Sequence, residues 1–483
     1  MKRSIYIVLV AGLVWLLSSC SSSKTERPNI LFILSDDHSV NAIGCYNNRL
    51  SDEVRTPNID HLAAEGMLFS QTFCTNSICS PSRATILTGK YSHKNGVYCL
   101  NQDFDNSQMT SASVLHDAGY QTAVYGKWHL KSRPSGFDDY SVLDEQGRYW
   151  NPRYFEPEND SMVQYDGWVD DVTAEMTMNF IKSRKKDKPF FVMCHFKSVH
   201  DPWDTRQPYD TCYQDQFIPE PDNLCDTYKN RGEASKRTTL KLEMLDQRTF
   251  RHEVLNTDDT CEQRKFVYQQ YIKAFLRGAN VLDENVGKVV RFLKEQGLDE
   301  NTIVIYSSDQ GHFLGEHGFF SKRFMYDESM QMPLIIKWPG KIKPGSINSD
   351  LVANIDFAPT IIDIAGLSIP KEMQGESLRP LLEGCTPENW RDAIYYRYWQ
   401  HLLHRDVAAH YGIRTDSFKL IYYYGENKGL TDFPPTPPEW ELFDLTNDPN
   451  EMNNVYSDPE YANSVNTLKT KMDELKEYYQ DWD

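Results

Sequence analysis

The segment around Cys79 has the clearest potential for chemistry. It begins at that cysteine and reads CSPSRATILTGK. Ser80 as an N-cap and Gly89 as a terminator predict a short helix that starts just after Cys79. Backbone N–H groups at a helix N-terminus attract anions, and Arg83 in the first turn adds a positive charge. This placement predicts a reactive cysteine, although a buried structural thiol is the common fate of a lone cysteine.

Two pairs of oxygen-bearing side chains follow two apolar runs. Asp36 and Asp37 end the run PNILFILSDD, and Asp309 and Gln310 end the run TIVIYSSDQ. Short runs of this kind predict strands buried on both faces of a parallel sheet, and such sheets carry their sites at the carboxyl ends of the strands. Oxygen donors suit a hard cation such as Ca²⁺. A single aspartate is usually a solvated loop residue, but two such pairs favour one shared metal site.

Helical and strand-like patterns alternate over most of the chain. Apolar strands precede or follow amphipathic segments at 56–66, 111–119, 169–184 and 264–297, and all of these except 169–184 end at glycine. This alternation predicts an α/β fold with a large central, mostly parallel sheet flanked by helices. We expect residues 27–375 to form this catalytic domain and residues 376–483 a smaller C-terminal α+β domain. The polar region 202–258 is interpreted as a long surface insertion.

The N-terminus has the pattern of an export signal. Lys2 and Arg3 precede an apolar run that ends in LSSC at Cys20. The pattern predicts a lipoprotein signal peptide over residues 1–20, lipid modification of Cys20 and a tether over residues 21–26. An ordinary signal peptide cut nearby is the alternative. The protein would then be exported, as a periplasmic or outer-membrane-anchored lipoprotein attached to the membrane through Cys20.

Charge and cysteine content narrow the possible partners. The formal net charge of −18 argues against binding to nucleic acid, because a polyanion would be repelled. The ten cysteines show no CxxC zinc spacing. Export permits disulfides. Cys212 and Cys225 lie in one polar region, where they either pair or remain free thiols.

The motif around Cys79 identifies a family resemblance. Cys79-x-Pro81-Ser82-Arg83 followed by LTGK resembles the signature of the sulfatases, which belong to the alkaline-phosphatase superfamily. The blocks PNILFILSDD, GYQTAVYGKWHL, SSDQGHFLGEHG and SKRFMYDESMQMPLIIKWPG resemble further parts of that family. The resemblance covers the chain from about Arg27 to its C-terminal helix. It implies that a maturation enzyme oxidises Cys79 to Cα-formylglycine, whose hydrate attacks the sulfur of a sulfate ester.

The resemblance also implies roles for individual residues. The metal positions, for one Ca²⁺ ion, are Asp36, Asp37, Cys79, Asp309 and Gln310; many relatives have asparagine at the last of these. The catalytic residues are Cys79, Arg83, Lys127, His129, His200 and Lys322. Lys127 and Lys322 are expected to bind sulfate oxygens, and His200 to protonate the leaving alcohol. His200 stands in the sequence VHDP, where the family commonly has proline before the histidine.

A finer resemblance concerns the substrate. The blocks TNSICSPSRATILTGKYSHKNGV and RYWQHLLHRDVAAHYGIRTDSFKLIYYYG resemble sulfatases of N-acetylglucosamine 6-sulfate in glycosaminoglycan breakdown. They imply a sulfated saccharide substrate, cut by exo-action at a terminal 6-O-sulfated sugar. Lys127, His200, Lys322, His404, Arg405 and His410 are then the substrate-binding residues. Trp150 and Trp203 would supply an apolar wall.

Three other functions remain open from the sequence. The same fold supports phosphatases and phosphodiesterases, which typically use Thr or Ser and two zinc ions, whereas this chain shows Cys79 and one set of metal ligands. A sulfatase acting on another sulfated sugar retains every feature of the site. An inactive glycan-binding lipoprotein would retain the cysteine without its modification.

Overall fold

The computed structural model of the protein describes residues 27–159 and 161–482. The expected signal peptide, tether and lipid-modified Cys20 lie outside the described residues. Within the described part of the chain, no helix is both long and apolar enough to cross a membrane. The strands are β1 (Asn29–Ser35), β2 (Met67–Phe69), β3 (Thr72–Phe73), β4 (Gln121–Gly126), β5 (Asp139–Leu143), β6 (Arg153–Phe155), β7 (Val163–Gln164), β8 (Phe190–His195), β9 (Thr302–Ser308), β10 (Phe313–Leu314), β11 (Phe320–Ser321), β12 (Leu334–Lys337), β13 (Ser346–Asn348), β14 (Val352–Ala353), β15 (Ala393–Tyr398), β16 (His410–Thr415), β17 (Phe418–Tyr423) and β18 (Glu439–Asp444).

The helices differ widely in length, from one turn to ten. They are α1 (Pro57–Glu65), α2 (Cys79–Thr88), α3 (Ser92–Asn95), α4 (Ser111–Asp117), α5 (Val169–Ser183), α6 (Glu233–Arg237), α7 (Thr260–Glu295), α8 (Asp327–Met330), α9 (Phe357–Ile364), α10 (Arg379–Leu382) and α11 (Ala462–Tyr479). The longer helices match the amphipathic segments of the sequence to within a few residues. Glycine ends α2, because Gly89 adopts a positive φ of 63° that other residues rarely adopt.

A ten-stranded sheet forms the centre of the molecule, in the order β13-β2-β12-β9-β1-β8-β4-β5-β6-β7. The middle strand, β1, runs parallel to both β8 and β9. Its alternate residues face two different cores: Ile30, Phe32 and Leu34 on one side, Leu31 and Ile33 on the other. This explains the continuous apolar run, since a strand covered on both faces has no solvent side.

Helices cover both faces of this sheet. Side chains of α2, α4 and α9 share the core of Ile30, whereas those of α1, α5 and α7 share the core of Leu31. The predicted α/β class, with a large and mostly parallel central sheet, is confirmed. At its edges the sheet is mixed, because β12, β6 and β7 run antiparallel to their neighbours.

A small antiparallel sheet follows near the C-terminus. Its order is β15-β16-β17-β18, and α11 packs across β15, β16 and β17. Leu468 and Met472 of α11 belong to the same hydrophobic core as the helices α2 and α9 of the large sheet. The predicted smaller α+β part is confirmed as a fold element, and its core is continuous with that of the central sheet.

The region 202–258 differs from the expected surface insertion. Several of its side chains, among them Trp203, Ile218 and Leu242, are buried against α7 in a third hydrophobic cluster. Of the two alternatives left open for Cys212 and Cys225, pairing with each other does not occur. Cys212 is a free thiol, and Cys225 forms a disulfide with Cys261 at the start of α7. The disulfide therefore joins this region to the helix on which it packs.

Candidate active site

The acidic pairs meet at one edge of the central sheet. Ser35 at the end of β1 lies opposite Ser308 at the end of β9, so the residues that follow emerge side by side. The backbone N–H of Asp37 donates to Oδ1 of Asp309 at 3.2 Å. Carboxylate oxygens of Asp36, Asp37 and Asp309 all lie within 4.8 Å of one another, and all three side chains are buried.

Cys79 lies directly beside these acids. Its Sγ is 3.8 Å from Oδ1 of Asp36 and 3.4 Å from Nζ of Lys322. The helix α2 begins at Cys79 itself and not after it; Ile78 is the N-cap residue, while the hydroxyl of Ser80 donates to the carbonyl of His129 at 2.6 Å. The cysteine is thus fixed in the first turn, with the cations and the acids around it.

Burial makes the Cys79 thiol less acidic, contrary to the sequence prediction of a reactive cysteine. Loss of solvent raises the pKa of the thiol to about 11, although Lys127 and Lys322 act in the opposite direction. The nearby acids Asp36 and Asp309 raise the pKa further. At neutral pH the side chain is therefore a neutral thiol, which is a poor nucleophile.

Arg83 joins the ends of three elements. It lies one turn along α2 from Cys79 and is almost completely buried. Its Nε donates to Oδ2 of Asp309 at 3.0 Å, and its Nη1 donates to the carbonyl of Lys127 at 2.7 Å. The guanidinium therefore fixes α2 against the ends of β9 and β4.

Two buried lysines each bind one acid. Nζ of Lys127, after β4, donates to Oδ2 of Asp36, and Nζ of Lys322, after β11, donates to Oδ1 of Asp37. Burial alone would raise the pKa of both carboxyls, but the lysines hold the pKa of each well below its usual range. Both aspartates are therefore anionic, and Cys79 lies between two cations.

The donor set fits a hard metal ion. Burial and the neighbouring charge of Asp36 raise the pKa of Asp309 to about 7, because three carboxylates crowd one small space. Oε1 of Gln310 is buried with no hydrogen-bond partner among the described residues, while its Nε2 points to Asp37. Rotation of this amide by half a turn would place an oxygen beside the acids. A divalent cation would relieve the repulsion and accept these oxygens.

His200 approaches the cysteine from the loop after β8. Nitrogen and oxygen atoms of His200 and Asp36 and the sulfur of Cys79 lie within 4.8 Å of one another. Nδ1 of His200 is 3.0 Å from the carbonyl of Asp201, which can only accept, so Nδ1 carries a proton. Nε2 faces the site, 3.9 Å from Oδ2 of Asp37. Burial and the charge of Lys127 lower the pKa of His200 to about 4.

Two further histidines lie at this edge of the sheet. His129 is buried after β4, and burial together with Lys127 and Arg83 lowers its pKa well below the usual value. His312 stacks on Phe275 with ring centroids 5.6 Å apart, and its Nδ1 lies 3.5 Å from Oδ2 of Asp37. Neither ring nitrogen of His312 has a hydrogen-bond partner among the described residues, so the ring lies next to that acid without a hydrogen bond to it.

The residues proposed from the signature, the two strand ends and the GKWHL motif therefore form one buried constellation. Comparison with known proteins decides its type: a family model described as "Sulfatase" matches residues 28–367. The chain belongs to the sulfatase family. A second model, "N-sulphoglucosamine sulphohydrolase, C-terminal", matches residues 315–478 of this sulfatase.

Relatives with known names support the same assignment. An N-acetylglucosamine-6-O-sulfatase of Bacteroides thetaiotaomicron is 39% identical over 97% of this chain and 90% of its own length. The human N-acetylglucosamine-6-sulfatase is 29% identical over 86% of this chain and 70% of its own length. A solved structure in complex with its substrate, D-glucosamine-2-N,6-O-disulfate, superposes with a TM-score of 0.87 at 38% identity, covering 95% of this chain and 99% of that one.

The expected sugar-binding residues in the C-terminal part of this sulfatase do not all lie in the same place. His404 lies near Arg405 and Lys322, whereas His410 lies in the core of the small sheet. His404 is partly buried, and burial and the charges of Arg323, Arg405 and Lys322 lower its pKa to about 4. Arg405 donates to Oγ1 of Thr249 at 3.0 Å. His404 therefore lies near three cationic side chains, those of Arg323, Arg405 and Lys322.

His410 lies in the core of the small sheet. It is fully buried among aromatic rings, with its centroid 4.9 Å from that of Tyr423 and 5.6 Å from that of Tyr396. Its Nδ1 bonds to the carbonyl of Ala408 at 2.8 Å. A histidine at the start of β16 packs into the core because that face of the small sheet is covered, which its sequence did not reveal.

The two tryptophans also separate. Trp203 is buried beside His312, with ring centroids 6.3 Å apart, and packs on Tyr271 of α7. Trp150 is 48% exposed. Only Trp150 therefore has a free face for a ligand.

One cation of the site escaped the sequence analysis. Lys197 lies in the same loop as His200, is almost completely buried, and has a pKa lowered to about 8 by burial and by Lys127. Its position two residues after the apolar strand β8 was the available signal, since polar residues near the carboxyl end of a parallel strand are typical of a site.

Proposed function

We propose that this sulfatase hydrolyses the 6-O-sulfate of a terminal N-acetylglucosamine or glucosamine in fragments of glycosaminoglycans or other host glycans. The observation that carries the proposal is the buried Cys79 held between Lys127, Lys322 and the acids, in a chain closely similar to N-acetylglucosamine-6-O-sulfatase. Sulfatases for other sugars share this centre. The proposed sugar is therefore supported by the named relatives, and the proposed reaction is supported by the geometry of the centre.

Oxidation of Cys79 by a maturation enzyme would make the residue able to attack a sulfate ester, which the neutral thiol does poorly. The thiol is neutral at physiological pH because burial raises its pKa to about 11. As Cα-formylglycine hydrate, this position would supply one hydroxyl to attack sulfur and a second to release sulfate afterwards. Cys79 is small and lies in the first turn of a fixed helix, so the side chain can change without moving its neighbours.

The two lysines suit the non-bridging oxygens of a sulfate ester. Nζ of Lys322 lies 3.4 Å and Nζ of Lys127 lies 3.9 Å from Sγ of Cys79. A sulfate that is attacked by the modified residue 79 would therefore lie next to both ammonium groups. Cations in a site that excludes water stabilise developing negative charge strongly. Arg83 keeps Asp309 and the main chain at Lys127 in place, and its Nη2 lies 3.7 Å from Oδ1 of Asp36.

Asp36, Asp37, Asp309 and Gln310 would hold one Ca²⁺ ion beside the modified residue. Bound there, the ion would supply positive charge against the sulfate and the attacking oxygen. The all-oxygen donor set favours calcium over zinc. The ring of His312 lies beside Asp37, with its Nδ1 3.5 Å from Oδ2 of that acid.

His200 is the proton donor for the leaving alcohol in this scheme. Its Nε2 faces the site because Nδ1 is bonded to the carbonyl of Asp201. The pKa of about 4 applies to the protein without substrate, and a sulfate anion beside the ring raises it by favouring the charged form. The proton on Nε2 then passes to the ester oxygen as its bond to sulfur breaks.

Exo-action is supported by the charge of the molecule. The formal net charge of −18 disfavours a long sulfated polymer lying along the surface. Positive charge is instead concentrated around His404, where the charges of Arg323, Arg405 and Lys322 add to burial in lowering the pKa of the imidazole. This arrangement suits one terminal sugar, with His404 and Arg405 as the contacts to its ring.

Export as a lipoprotein through Cys20 is part of the proposal. It would place the enzyme in the periplasm or on the outer membrane, where glycan fragments arrive. The sequence LSSC and the basic residues Lys2 and Arg3 support it. Metabolic labelling with a fatty acid, compared between the native protein and Cys20→Ala, tests this part separately.

A panel of defined sulfated sugars tests the proposed substrate. We expect release of inorganic sulfate from the 6-O-sulfates of N-acetylglucosamine and N-sulfoglucosamine with kcat/KM about 100-fold above that for galactose 4-sulfate or a 2-sulfated uronate. The Cys79→Ala variant, which should fold like the unaltered protein, should release no sulfate from any of these sugars. Preference for another sulfated sugar would contradict the proposed substrate and would leave the assignment to the sulfatase family unchanged.

A further inference from the structure

A tyrosine from a distant loop binds the main chain of His200. Tyr149 lies between β5 and β6, and its phenol donates a hydrogen bond to the carbonyl oxygen of His200, 51 residues later. The side chain is 5% exposed, and burial raises the pKa of the phenol well above its usual value. The group therefore remains protonated and acts as a permanent donor.

The ring of Tyr149 is itself held in place. It stacks on Trp168, with centroids 4.7 Å apart and an interplanar angle of 21°. Nζ of Lys197 lies 4.8 Å from the ring centroid, a cation–π contact. Among the described residues no carboxylate forms an ion pair with this ammonium. The ammonium of Lys197 therefore contacts the ring of Tyr149 without a paired acid.

The loop of His200 is joined to the end of β1, where the N–H of Val199 donates to the carbonyl of Asp36 at 2.7 Å. The phenol of Tyr149 adds a hydrogen bond from a distant loop to His200 itself. The backbone N–H of His200 donates to the carbonyl of Lys197 at 3.2 Å, and its Nδ1 bonds to the carbonyl of Asp201. Both contacts move with the loop. A displacement of the loop would therefore carry Nε2 away from the cysteine, and the phenol opposes that displacement.

We propose that Tyr149 is a positioning residue that directs Nε2 of His200 at the leaving oxygen of the substrate. The inference rests on the proposed function, in which His200 donates the proton. Tyr149 does not touch the substrate in this scheme. It determines where the proton donor stands, and the proton still moves from Nε2 to the alcohol oxygen as the bond between sulfur and that oxygen breaks.

Tyr149→Phe removes the hydroxyl and keeps the ring contacts. We expect kcat on the 6-O-sulfated sugar to fall about 10-fold, because small misplacement of a catalytic group is costly. KM and the inhibition constant of inorganic sulfate should stay within about twofold of the unaltered protein, because the sulfate-binding cations are untouched.

Tyr154→Phe is the matched control. Tyr154 is buried in the same hydrophobic cluster, and its phenol bonds to Oγ1 of Thr173 at 3.1 Å and to the carbonyl of Val169 at 3.3 Å, away from His200. Loss of this hydroxyl should lower stability about as much as Tyr149→Phe does, and it should leave kcat unchanged. Equal kcat in the two variants would overturn the proposal.

A double-mutant cycle separates positioning from general loss of structure. His200→Ala should lower kcat about 100-fold. Adding Tyr149→Phe to His200→Ala should then cost nothing more, because no proton donor remains to be positioned. If the double variant instead shows the product of the two single losses in kcat, the role of Tyr149 is contradicted and the role of His200 is not. Normal kcat in His200→Ala would instead refute the proposed proton donor itself.

Discussion

At single residues, burial and charge act together to set the chemistry. Cys79 is next to two lysines, yet burial raises the pKa of its thiol to about 11. Asp36 is equally buried, yet Lys127 and Arg83 keep it ionised. The difference follows from contact: Asp36 receives a direct hydrogen bond from an ammonium group, whereas Sγ of Cys79 lies at longer distance from both lysines.

Metal removal is predicted at this scale. The three acids and Gln310 offer oxygen alone, so chelation should abolish sulfate release and Ca²⁺ should restore it more fully than Zn²⁺. Thermal unfolding followed with and without Ca²⁺ gives a second measurement, because an ion bound to the native state raises the midpoint. Recovery with Zn²⁺ and not with Ca²⁺ would contradict the proposed donor set.

At the scale of elements, the close packing of β4 on β8 places Lys127. Gly126 at the end of β4 has a φ of +97°, and a Cβ there would lie 1.9 Å from the carbonyl oxygen of His195. The next residue, Lys127, donates its backbone N–H to that same carbonyl at 2.8 Å. A side chain at position 126 would therefore push the lysine and β8 apart.

Gly126→Ala tests this contact against a matched glycine. We expect it to lower the free energy of unfolding by about 3 kcal/mol and to reduce kcat, because strain and a backbone clash add together. Gly119 has a similar φ of +90° with no atom within 4 Å of its Cβ position. Gly119→Ala should cost about 1 kcal/mol by strain alone and keep kcat. Denaturant unfolding would contradict the account if both variants lost the same stability.

The elements also show what the sequence could predict. The strand ends that carry Asp36 and Asp309 were predictable, because a buried parallel strand has an apolar run that polar residues terminate. The contact of Tyr149 with His200 was not, since it joins a loop to a strand end far away in the chain. The burial of His410 was equally hidden, because it depends on which face of a small sheet is covered.

At the scale of the whole molecule, the region 202–258 is attached to the core by packing and by a disulfide. Trp203 and Ile218 pack against α7, and Cys225 is bonded to Cys261 at the start of that helix. The sequence left open whether Cys225 pairs with Cys212 or stays a free thiol, because disulfide partners depend on how loops return to a helix. The link closes a loop of 36 residues.

Removal of this link should destabilise the molecule without altering the site. Cys225→Ser combined with Cys261→Ser is expected to lower the free energy of unfolding by about 3 to 4 kcal/mol, because the unfolded chain gains freedom. Cys212→Ser, which changes a free thiol in the same region, should have little effect. Urea unfolding of the three proteins is the measurement, and equal stability of the double variant and the unaltered protein would show that the link does not constrain the fold.

The most direct test of the account is the mass of the peptide that contains Cys79. The protein should be produced in a host that carries a formylglycine maturation enzyme, digested, and measured by mass spectrometry alongside its sulfate release. We expect a peptide in which the thiol of Cys79 has been replaced by an aldehyde, and the apparent kcat should rise in proportion to the fraction of protein so modified. Full sulfate release by protein whose Cys79 is entirely an unmodified thiol would contradict it.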